Sequence, residues 1–252
     1  MIRRVLTKFR ALFDRYLAAR GLRLVPTGLA YIDANKTVAE ASSRGLSVCE
    51  LLESRESDIR KIGRRDRIIR QMKLANAFSG VNNILEIGSG TGMYLDSAVK
   101  ECSPSRYEVY ETNPGWCGFL KNHTKSLRAK VVIHAADGYS LKDTPSESID
   151  LAHAHGVFVY TSVLTSVQYM HELGRVTRPG GIIVFDCYLD GSFRLEVADA
   201  WLATNWRFPV VFPEALLIDI CNRHSLDERI RFEELHGAGT VNYLVLQKRH
   251  RL

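Results

Sequence analysis

A glycine-rich loop with an acidic residue at its start is the first segment whose residue types point to chemistry. The letters E-I-G-S-G-T-G, residues 86–92, end an apolar run that predicts a short buried strand. Glycines at such a position let the backbone approach a ligand closely at the carboxyl edge of a sheet. A dinucleotide fingerprint would need glycine at position 93, where Met93 stands instead. The spacing therefore favours a ligand with an ammonium group over a pyrophosphate.

Two further carboxylates follow the next predicted strands. Glu111 ends a strand over residues 107–110, where a carboxylate can accept hydrogen bonds from both hydroxyls of a ribose. Asp137-Gly138 follows a strand over residues 131–133, where a carboxylate can accept a hydrogen bond from an exocyclic amine such as that of adenine. The two acids sharpen the signal of the glycine loop.

An α/β fold must position these residues. Strands are predicted over residues 84–87, 107–110, 131–133, 149–154 and 181–185. Helical stretches such as residues 166–176 lie between them, and this alternation indicates a parallel sheet with helices on both faces. Residues 229–236 and 241–247 predict two more strands, joined by Gly237-Ala238-Gly239 as an antiparallel hairpin.

Two helical segments precede this region. Residues 1–25 predict a basic amphipathic arm, because apolar residues recur there at steps of three and four among seven Lys and Arg. Such an arm can bind a membrane surface or a partner, or pack its apolar stripe on the body of the protein. Residues 26–79 predict a helical cap, in which Ser47 and Glu50 have the spacing of a capping box. A further cap helix is predicted over residues 64–78, with these residues inward: Ile68, Ile69, Met72 and Ala75.

Four motifs in order give the chain a family resemblance. E-I-G-S-G-T-G, Y-E-T-N, A-A-D-G and R-P-G-G begin at residues 86, 110, 135 and 178. Together they resemble the class I S-adenosylmethionine-dependent methyltransferases over about residues 81–248. The resemblance implies a methyltransferase domain over residues 80–248, preceded by the helical cap. It also implies a Rossmann-like, doubly wound sheet of seven strands, whose last hairpin inserts one antiparallel strand.

S-adenosyl-L-methionine is the cofactor that the resemblance implies. By motif matching, Gly88, Gly90 and Gly92 would line the methionine part of this cofactor. Glu86 would orient its amino group through a water molecule. These assignments agree with a loop that suits an ammonium group.

The nucleoside end of the cofactor would fall to the next two motifs. By the same matching, Glu111 would hold the ribose, and Asp137 with Gly138 would hold the adenine amine. Trp116, near the start of the helix after Glu111, is a candidate to cover the adenine, with core packing as the alternative.

The methyl acceptor binds, in this family, near the end of the fourth strand, which here reads D-L-A-H-A-H-G-V-F-V-Y. His153 and His155 share one face of that strand by periodicity, and His155 lies nearer its carboxyl end. An imidazole suits a general base near neutral pH, so we predict His155 as the base and Tyr160 as a residue of the acceptor pocket. A structural or cofactor-contacting role is the alternative for His155. Asp186 and Tyr188, just past the predicted fifth strand, are further candidates.

Composition limits the class of protein. With 46% hydrophobic and 25% charged residues among 252, the chain is typical of a globular protein. Five cysteines form no C-x-x-C pair, which argues against a disulfide framework and for a reducing cytosol. No metal is predicted, because no third ligand is spaced to join His153 and His155. No apolar run approaches the roughly 18 residues of a membrane span, and the first 20 residues are too charged for a signal peptide, so a cytoplasmic protein is predicted.

The net charge of +6 is unevenly distributed. Residues 1–25 carry +6, whereas residues 74–247 carry −6. This acidic body is a poor match for a polyanion, because such binding rests on neutralising phosphates. Two alternatives remain for the basic segments. RNA could be held by a phosphate clamp formed by the basic tail and residues 55–73, which contain eight Lys or Arg and three acids. An anionic membrane could be contacted peripherally by residues 1–20.

A methyltransferase that O-methylates a sugar hydroxyl of a glycoconjugate is the function that we predict. No [DN]-P-P-[YFW] motif follows the fourth strand and no Pro-Cys dipeptide occurs, which argues against amino-methylating nucleic-acid enzymes and cytosine-C5 methyltransferases. The segments D-A-N-K-T-V-A-E-A-S-S-R-G-L-S-V-C-E and H-A-H-G-V-F-V-Y resemble bacterial nodulation-factor fucose 2-O-methyltransferases and related enzymes of glycan assembly. The alternatives are another small molecule or a lipid as acceptor, RNA as acceptor, and a cofactor-binding module without catalysis.

Overall fold

Eight strands form the central sheet of the computed structural model, which describes residues 12–13, 15–20, 32–56, 58–204 and 209–250. The strands are β1 (Asn83–Ile87), β2 (Arg106–Glu111), β3 (Lys130–Ala135), β4 (Ile149–Ala154), β5 (Thr177–Leu189), β6 (Val211–Phe212), β7 (Leu226–His236) and β8 (Gly239–Lys248). Their order in the sheet is β3-β2-β1-β4-β5-β8-β7, and β6 pairs with the end of β5.

The pairing confirms the predicted Rossmann-like fold. β1 to β5 pair in parallel, whereas β8 is antiparallel to both β5 and β7, between which it is inserted. The hairpin turn is shorter than predicted, because Gly239 already pairs with His236 and only Gly237 and Ala238 lie between the strands. The additional strand β6 has two residues, too few to show a periodicity in the sequence.

Helices cover both faces of the sheet, as a doubly wound fold requires. The helices are α1 (Ala34–Ser43), α2 (Val48–Ser54), α3 (Arg64–Leu74), α4 (Met93–Cys102), α5 (Pro114–His123), α6 (Val163–Val176), α7 (Leu195–Ala203) and α8 (Glu214–Arg223). Leu85 and Ile183 pack in one apolar core with α6 and α8, whereas Ile84 and Ile182 pack in a second core with α3, α4, α5 and α7. Neighbouring residues of a strand point to opposite faces, so each strand contributes to both cores.

The cap helices α1 and α2 pack against the start of α5. Ser47 caps α2: its hydroxyl accepts a hydrogen bond from the Glu50 N–H, and its own N–H donates to Glu50 Oε2 at 2.8 Å, which is the predicted capping box. Trp116 is 6% exposed and lies in the apolar core of the cap with Val48 and Leu51. Trp116 was predicted either to cover the adenine or to pack in the core, and the structure shows that it packs in the core.

Helix α3 ends sooner than predicted, at Leu74, because Asn76 adopts a left-handed conformation with φ of 56°. Its inward side chains are the predicted ones. Most of the predicted N-terminal arm lies outside the described residues, and within it residues 15–18 are helical. No helix among the described residues is long and apolar enough to cross a membrane.

The carboxyl edge of the sheet brings the predicted site residues together. Ile87 of β1 pairs with Tyr110 of β2 and with Ala154 of β4, so the loops that follow these three strands emerge side by side. Ala154 pairs in turn with Phe185 of β5, and the next residue, Asp186, pairs with β8. The edge thus places the glycine loop, Glu111, His155 and Asp186 along one line.

Candidate active site

The glycine loop leaves β1 at this edge and turns into α4. Gly88, Gly90 and Gly92 have φ of 70°, 50° and 77°, a region that other residues seldom adopt. A Cβ on Gly88 would lie 2.7 Å from Val157 Cγ2, and one on Gly92 would lie 3.1 Å from Leu120 Cδ2. A Cβ on Gly90 would meet no atom closer than 4.0 Å. Gly90 therefore presents open backbone, while its two neighbours allow close packing below and beside the loop.

Glu86 lies beneath the loop and is 2% exposed. Its Oε2 accepts hydrogen bonds from Ser89 Oγ at 2.6 Å and from the Tyr107 hydroxyl at 2.9 Å. Burial raises the pKa of Glu86 to about 7, against the opposing effect of these two hydrogen bonds. The Tyr107 hydroxyl also bonds His153 Nε2 at 2.8 Å. Glu86 thus belongs to a buried network across β1, β2 and β4 that sequence reasoning missed.

Glu111 supports the loop from the end of β2. Its Oε2 accepts a hydrogen bond from the Gly90 N–H at 2.8 Å, and its Oε1 accepts one from the Asn113 N–H at 2.7 Å. A carboxylate offers about four acceptor positions, so about two are left for other donors such as ribose hydroxyls.

Asp137 and Gly138 form a turn after β3. The Asp137 carboxylate accepts hydrogen bonds from the Tyr139 N–H at 3.0 Å and from the N–H and hydroxyl of Ser140 at 2.8 and 2.6 Å. Gly138 has φ of 91°, which the turn requires and which disfavours other residues. The carboxylate therefore fixes its own turn, with about one acceptor position left for an amine.

The two histidines occupy different surroundings. His153 is 1% exposed, and burial lowers its pKa to about 3. His155, one residue past β4, stacks on Tyr94 with ring centroids 3.7 Å apart. Both His155 nitrogens are enclosed, yet neither has a hydrogen-bond partner in the described part of the chain. Burial lowers the pKa of His155 well below its usual value, and the nearby His153 and Arg64 lower it further, so the ring is neutral near neutral pH.

A cation from the cap reaches the same edge. Arg64, the first residue of α3, holds its Nη2 3.4 Å from Asp186 Oδ2 and 3.5 Å from the Tyr243 hydroxyl. Asp186 is fully buried and also accepts the Gly156 N–H at 2.7 Å. Burial raises the pKa of Asp186, against the opposing effects of Arg64 and of this N–H. The sequence marked Asp186 as a candidate but not Arg64, one of eight bases in residues 55–73, because no local pattern distinguishes it.

Tyr160 is linked to the C-terminal hairpin. Its hydroxyl hydrogen-bonds His236 Nε2 at 3.0 Å, and His236 Nδ1 bonds the Tyr188 hydroxyl at 2.8 Å. Burial raises the pKa of Tyr160 to about 12 and lowers that of His236 to about 3. Tyr160 therefore stays protonated near neutral pH, where it can orient a ligand but is a poor base. Sequence reasoning missed His236, which lies at the end of an otherwise ordinary strand.

Residues 85–185, from β1 to β5, match a family profile described as a methyltransferase domain. This match supports a methyltransferase, and it implies S-adenosyl-L-methionine as the cofactor. No curated protein sequence matches the chain.

Solved structures share the fold of the methyltransferase domain at low sequence identity. A candidate sarcosine dimethylglycine methyltransferase from Galdieria sulphuraria is 11% identical, with a TM-score of 0.60 over 77% of this chain and 88% of that one. The N-methyltransferase NodS from Bradyrhizobium japonicum WM9 is 19% identical, with a TM-score of 0.56 over 75% of this chain and 99% of that one. An O-methyltransferase family protein from Burkholderia thailandensis is 13% identical, with a TM-score of 0.54 over 81% and 63%.

The residues at the edge fit this cofactor. Gly90 leaves open space above the loop, and Glu111 has acceptor capacity left. Several enclosed nitrogens in the same region lack a hydrogen-bond partner among the described residues: Arg64 Nε, His153 Nδ1 and both nitrogens of His155. Because native structures leave few buried polar atoms unsatisfied, this concentration indicates a place where a ligand completes the hydrogen bonding.

Proposed function

We propose that this methyltransferase domain transfers a methyl group to a hydroxyl of its acceptor, with His155 as the general base. The observation that carries the proposal is the state of His155: a neutral, enclosed imidazole at the end of β4, with no hydrogen-bond partner on either nitrogen among the described residues. A hydroxyl that donates to one of these nitrogens would satisfy it. Tyr94 couples His155 to the glycine loop, because it stacks on the ring from the first turn of α4.

A hydroxyl acceptor needs a base because its oxygen must lose a proton as it attacks. The cofactor supplies an activated methyl group, so the chain has only to align the acceptor oxygen and remove this proton. His155 would take the proton on a ring nitrogen. Since Tyr94 covers one face of the ring, the acceptor must approach the ring edge and open the cluster around it. Tyr160, held by His236, would orient the acceptor.

The cofactor contacts in this proposal are those predicted from the motifs. Gly88, Gly90 and Gly92 would line the methionine part, and Glu86 beneath them would act on the amino group through water. Glu111 would hold the ribose with the acceptor positions that Gly90 and Asn113 leave.

Asp137 and Gly138 would hold the adenine amine in the same proposal. The support is the acceptor position on Asp137 that the local turn leaves. Both residues lie in the turn after β3, at the carboxyl edge that also carries the glycine loop.

A sugar hydroxyl of a glycoconjugate is the acceptor that we favour, such as a fucosyl group of a nodulation-factor-like lipo-oligosaccharide. The support is the similarity of two segments to bacterial glycan methyltransferases. The likeness to NodS, itself named an N-methyltransferase, concerns the fold alone. Another small molecule or a lipid is the second candidate, since Tyr160 and the cap offer both polar and apolar surface.

RNA is the least favoured acceptor. Seven of the eight bases in residues 55–73 form ion pairs with acids of the chain: Arg55, Arg60, Lys61, Arg64, Arg65, Arg67 and Lys73. Charges that are neutralised internally release fewer counterions on binding a polyanion, which is what gives RNA affinity and its salt dependence.

Transfer of a radiolabelled methyl group tests the proposal. The full chain is incubated with labelled cofactor and separate glycan, lipid and RNA fractions, and we expect label in a glycan fraction at an oxygen. His155→Ala should lower the rate about 10²- to 10⁴-fold while leaving cofactor binding in calorimetry unchanged. His224→Gln, at a half-buried histidine between α8 and β7, is the matched control. Labelling of nitrogen, or a near-native rate for His155→Ala, would contradict the proposal.

A further inference from the structure

Arg64 is a cation whose hydrogen-bonding capacity is largely unused. A guanidinium carries five N–H donors. In Arg64, Nε is enclosed and has no hydrogen-bond partner among the described residues, and the two contacts of Nη2, to Asp186 and Tyr243, are long at 3.4 and 3.5 Å. The side chain as a whole is 22% exposed, so part of it is open at the edge of the sheet. Leaving buried donors unsatisfied is costly, which points to a missing acceptor.

Arg67, one turn further along α3, shows what the same side chain does when it is saturated. Its Nε and Nη2 donate to the two oxygens of Glu234 at 2.9 and 2.8 Å, a paired fork onto a carboxylate. Its Nη1 donates to the Ile62 carbonyl at 2.7 Å. Arg64 reaches Asp186 at the carboxyl edge of the sheet through Nη2 alone, and it holds no carboxylate in this paired geometry.

Asp186 does not fill this role. Its Oδ1 is engaged by the Gly156 N–H, and only Oδ2 faces Arg64, in contact with a single nitrogen. A second acidic neighbour, Glu234, is already held by Arg67. The positive charge of Arg64 therefore lacks a bidentate partner at the place where the cap meets the sheet.

The surroundings of Arg64 indicate which anion would complete it. Arg64 contacts Tyr243, whose ring lies 5.8 Å from that of His155, and His155 stacks on Tyr94 of the first turn of α4. These residues flank the glycine loop, along which the methionine part of the cofactor lies in the proposed binding mode. That part of the cofactor ends in an α-carboxylate, the ligand geometry that an arginine fork matches best.

We propose that Arg64 binds the α-carboxylate of the cofactor, so that the helical cap supplies a cofactor ligand from outside the segment that matches the methyltransferase profile. The inference rests on the cofactor and on the placement of its methionine part. It does not depend on which acceptor is methylated.

Calorimetry with two ligands that differ only in the carboxylate tests the proposal. The probes are S-adenosylhomocysteine and its decarboxylated analogue, and the proteins are the full chain and its Arg64→Met and Arg64→Lys variants. We expect Arg64→Met to weaken binding of S-adenosylhomocysteine about 10- to 100-fold and to leave the analogue within about 2-fold of the wild type. Arg64→Lys should fall between the wild type and Arg64→Met, because it keeps the charge without the fork.

Arg70→Met is the matched control, since it removes one positive charge from an exposed position on the same helix. It should leave both affinities unchanged, and thermal unfolding should show that all variants fold. Equal loss of both ligands in Arg64→Met would indicate a structural role and overturn the proposal, as would unchanged binding of S-adenosylhomocysteine. If the wild type binds neither ligand, the placement of the cofactor fails and the role of Arg64 falls with it. Calorimetric binding with no methyl transfer would contradict only the proposed function.

Discussion

At the scale of single residues, burial sets the charge state of the groups beneath the glycine loop. Burial raises the pKa of Glu86 to about 7 and lowers that of His153 to about 3, so burial shifts both side chains toward their neutral forms. The hydroxyl of Tyr107 bonds both side chains. The loop therefore rests on a network in which burial opposes charge, because unpaired charge in the interior is costly.

The pKa of Glu86 predicts how stability depends on pH. Because the pKa of Glu86 is higher in the folded protein, protonation of this side chain favours the folded state. The contribution is complete below pH 4.5 and is lost as the pH rises to about 7, since the carboxyl of the unfolded chain ionises at a lower pH than the buried one. Glu86→Gln, a neutral isostere, should remove this loss. Measured by urea unfolding, the free energy of unfolding of the variant relative to that of the wild type should increase by up to about 3 kcal/mol between about pH 5 and pH 8. A difference that is constant with pH would contradict the raised pKa.

Gly90 provides a second test at this scale. Gly90→Leu would place a side chain in the open space above the loop, and we expect binding of S-adenosylhomocysteine to weaken by about 10- to 100-fold or more. Gly80→Leu is the control, because Gly80 has a similar φ of 65° and no atom near its Cβ, but lies at the opposite end of β1. Equal binding by both variants would show that the loop does not contact the cofactor.

At the scale of elements, the sequence predicted the strands better than the side chains that meet at their ends. The apolar runs and the glycine turns predict β1 to β5 and the hairpin, because burial of a strand imposes a pattern of apolar residues on its own segment of the sequence. Arg64, Tyr94 and Tyr243 come together only because the cap, α4 and β8 converge on one edge. Contacts between residues so far apart in sequence leave no local pattern, so the position of Arg64 at this edge and the surroundings of His155 could not be predicted.

The pairing of α4 with α5 yields a prediction of its own. His123 Nε2 lies 2.8 Å from Asp96 Oδ1, and this hydrogen bond raises the pKa of His123 despite partial burial. The ion pair stabilises the fold below pH 6.5 and is lost as the pH rises through the raised value. Because both side chains are partly exposed, we expect His123→Gln to cost at most about 1 kcal/mol near pH 5.5 and nothing near pH 9 in urea unfolding. An equal cost at both pH values would indicate packing instead.

At the scale of the whole molecule, three separate parts of the chain meet at the candidate site. The cap contributes Arg64, the segment matching the methyltransferase profile contributes the glycine loop and His155, and the C-terminal hairpin contributes Tyr243 and His236. In the proposed function, the profile match covers the cofactor loop but only part of the surroundings of the acceptor. The cap and the hairpin, outside residues 85–185, would then add to the substrate specificity that His155 and Tyr160 provide.

The uneven charge gives a test of the N-terminal arm. Deletion of residues 1–20, which carry much of the positive charge, should leave binding of S-adenosylhomocysteine unchanged. Association with vesicles that contain anionic lipid, measured by co-sedimentation, should weaken, because each basic residue near such a surface adds roughly 1 kcal/mol of attraction. Neutral vesicles are the control. If the full chain ignores anionic vesicles, the arm does not bind membranes.

The central place of β8 has a consequence for how the protein is made. It follows β5 in the chain only after β6, two helices and β7, yet it lies between β5 and β7 in the interior of the sheet. During synthesis, β5 must therefore wait with an unpaired edge until residue 248 has left the ribosome, and such an edge is prone to pair with other chains. The site is completed in the same step, since Tyr243 arrives with β8. Until β8 has been made, the nascent chain thus has its glycine loop but not the complete candidate site.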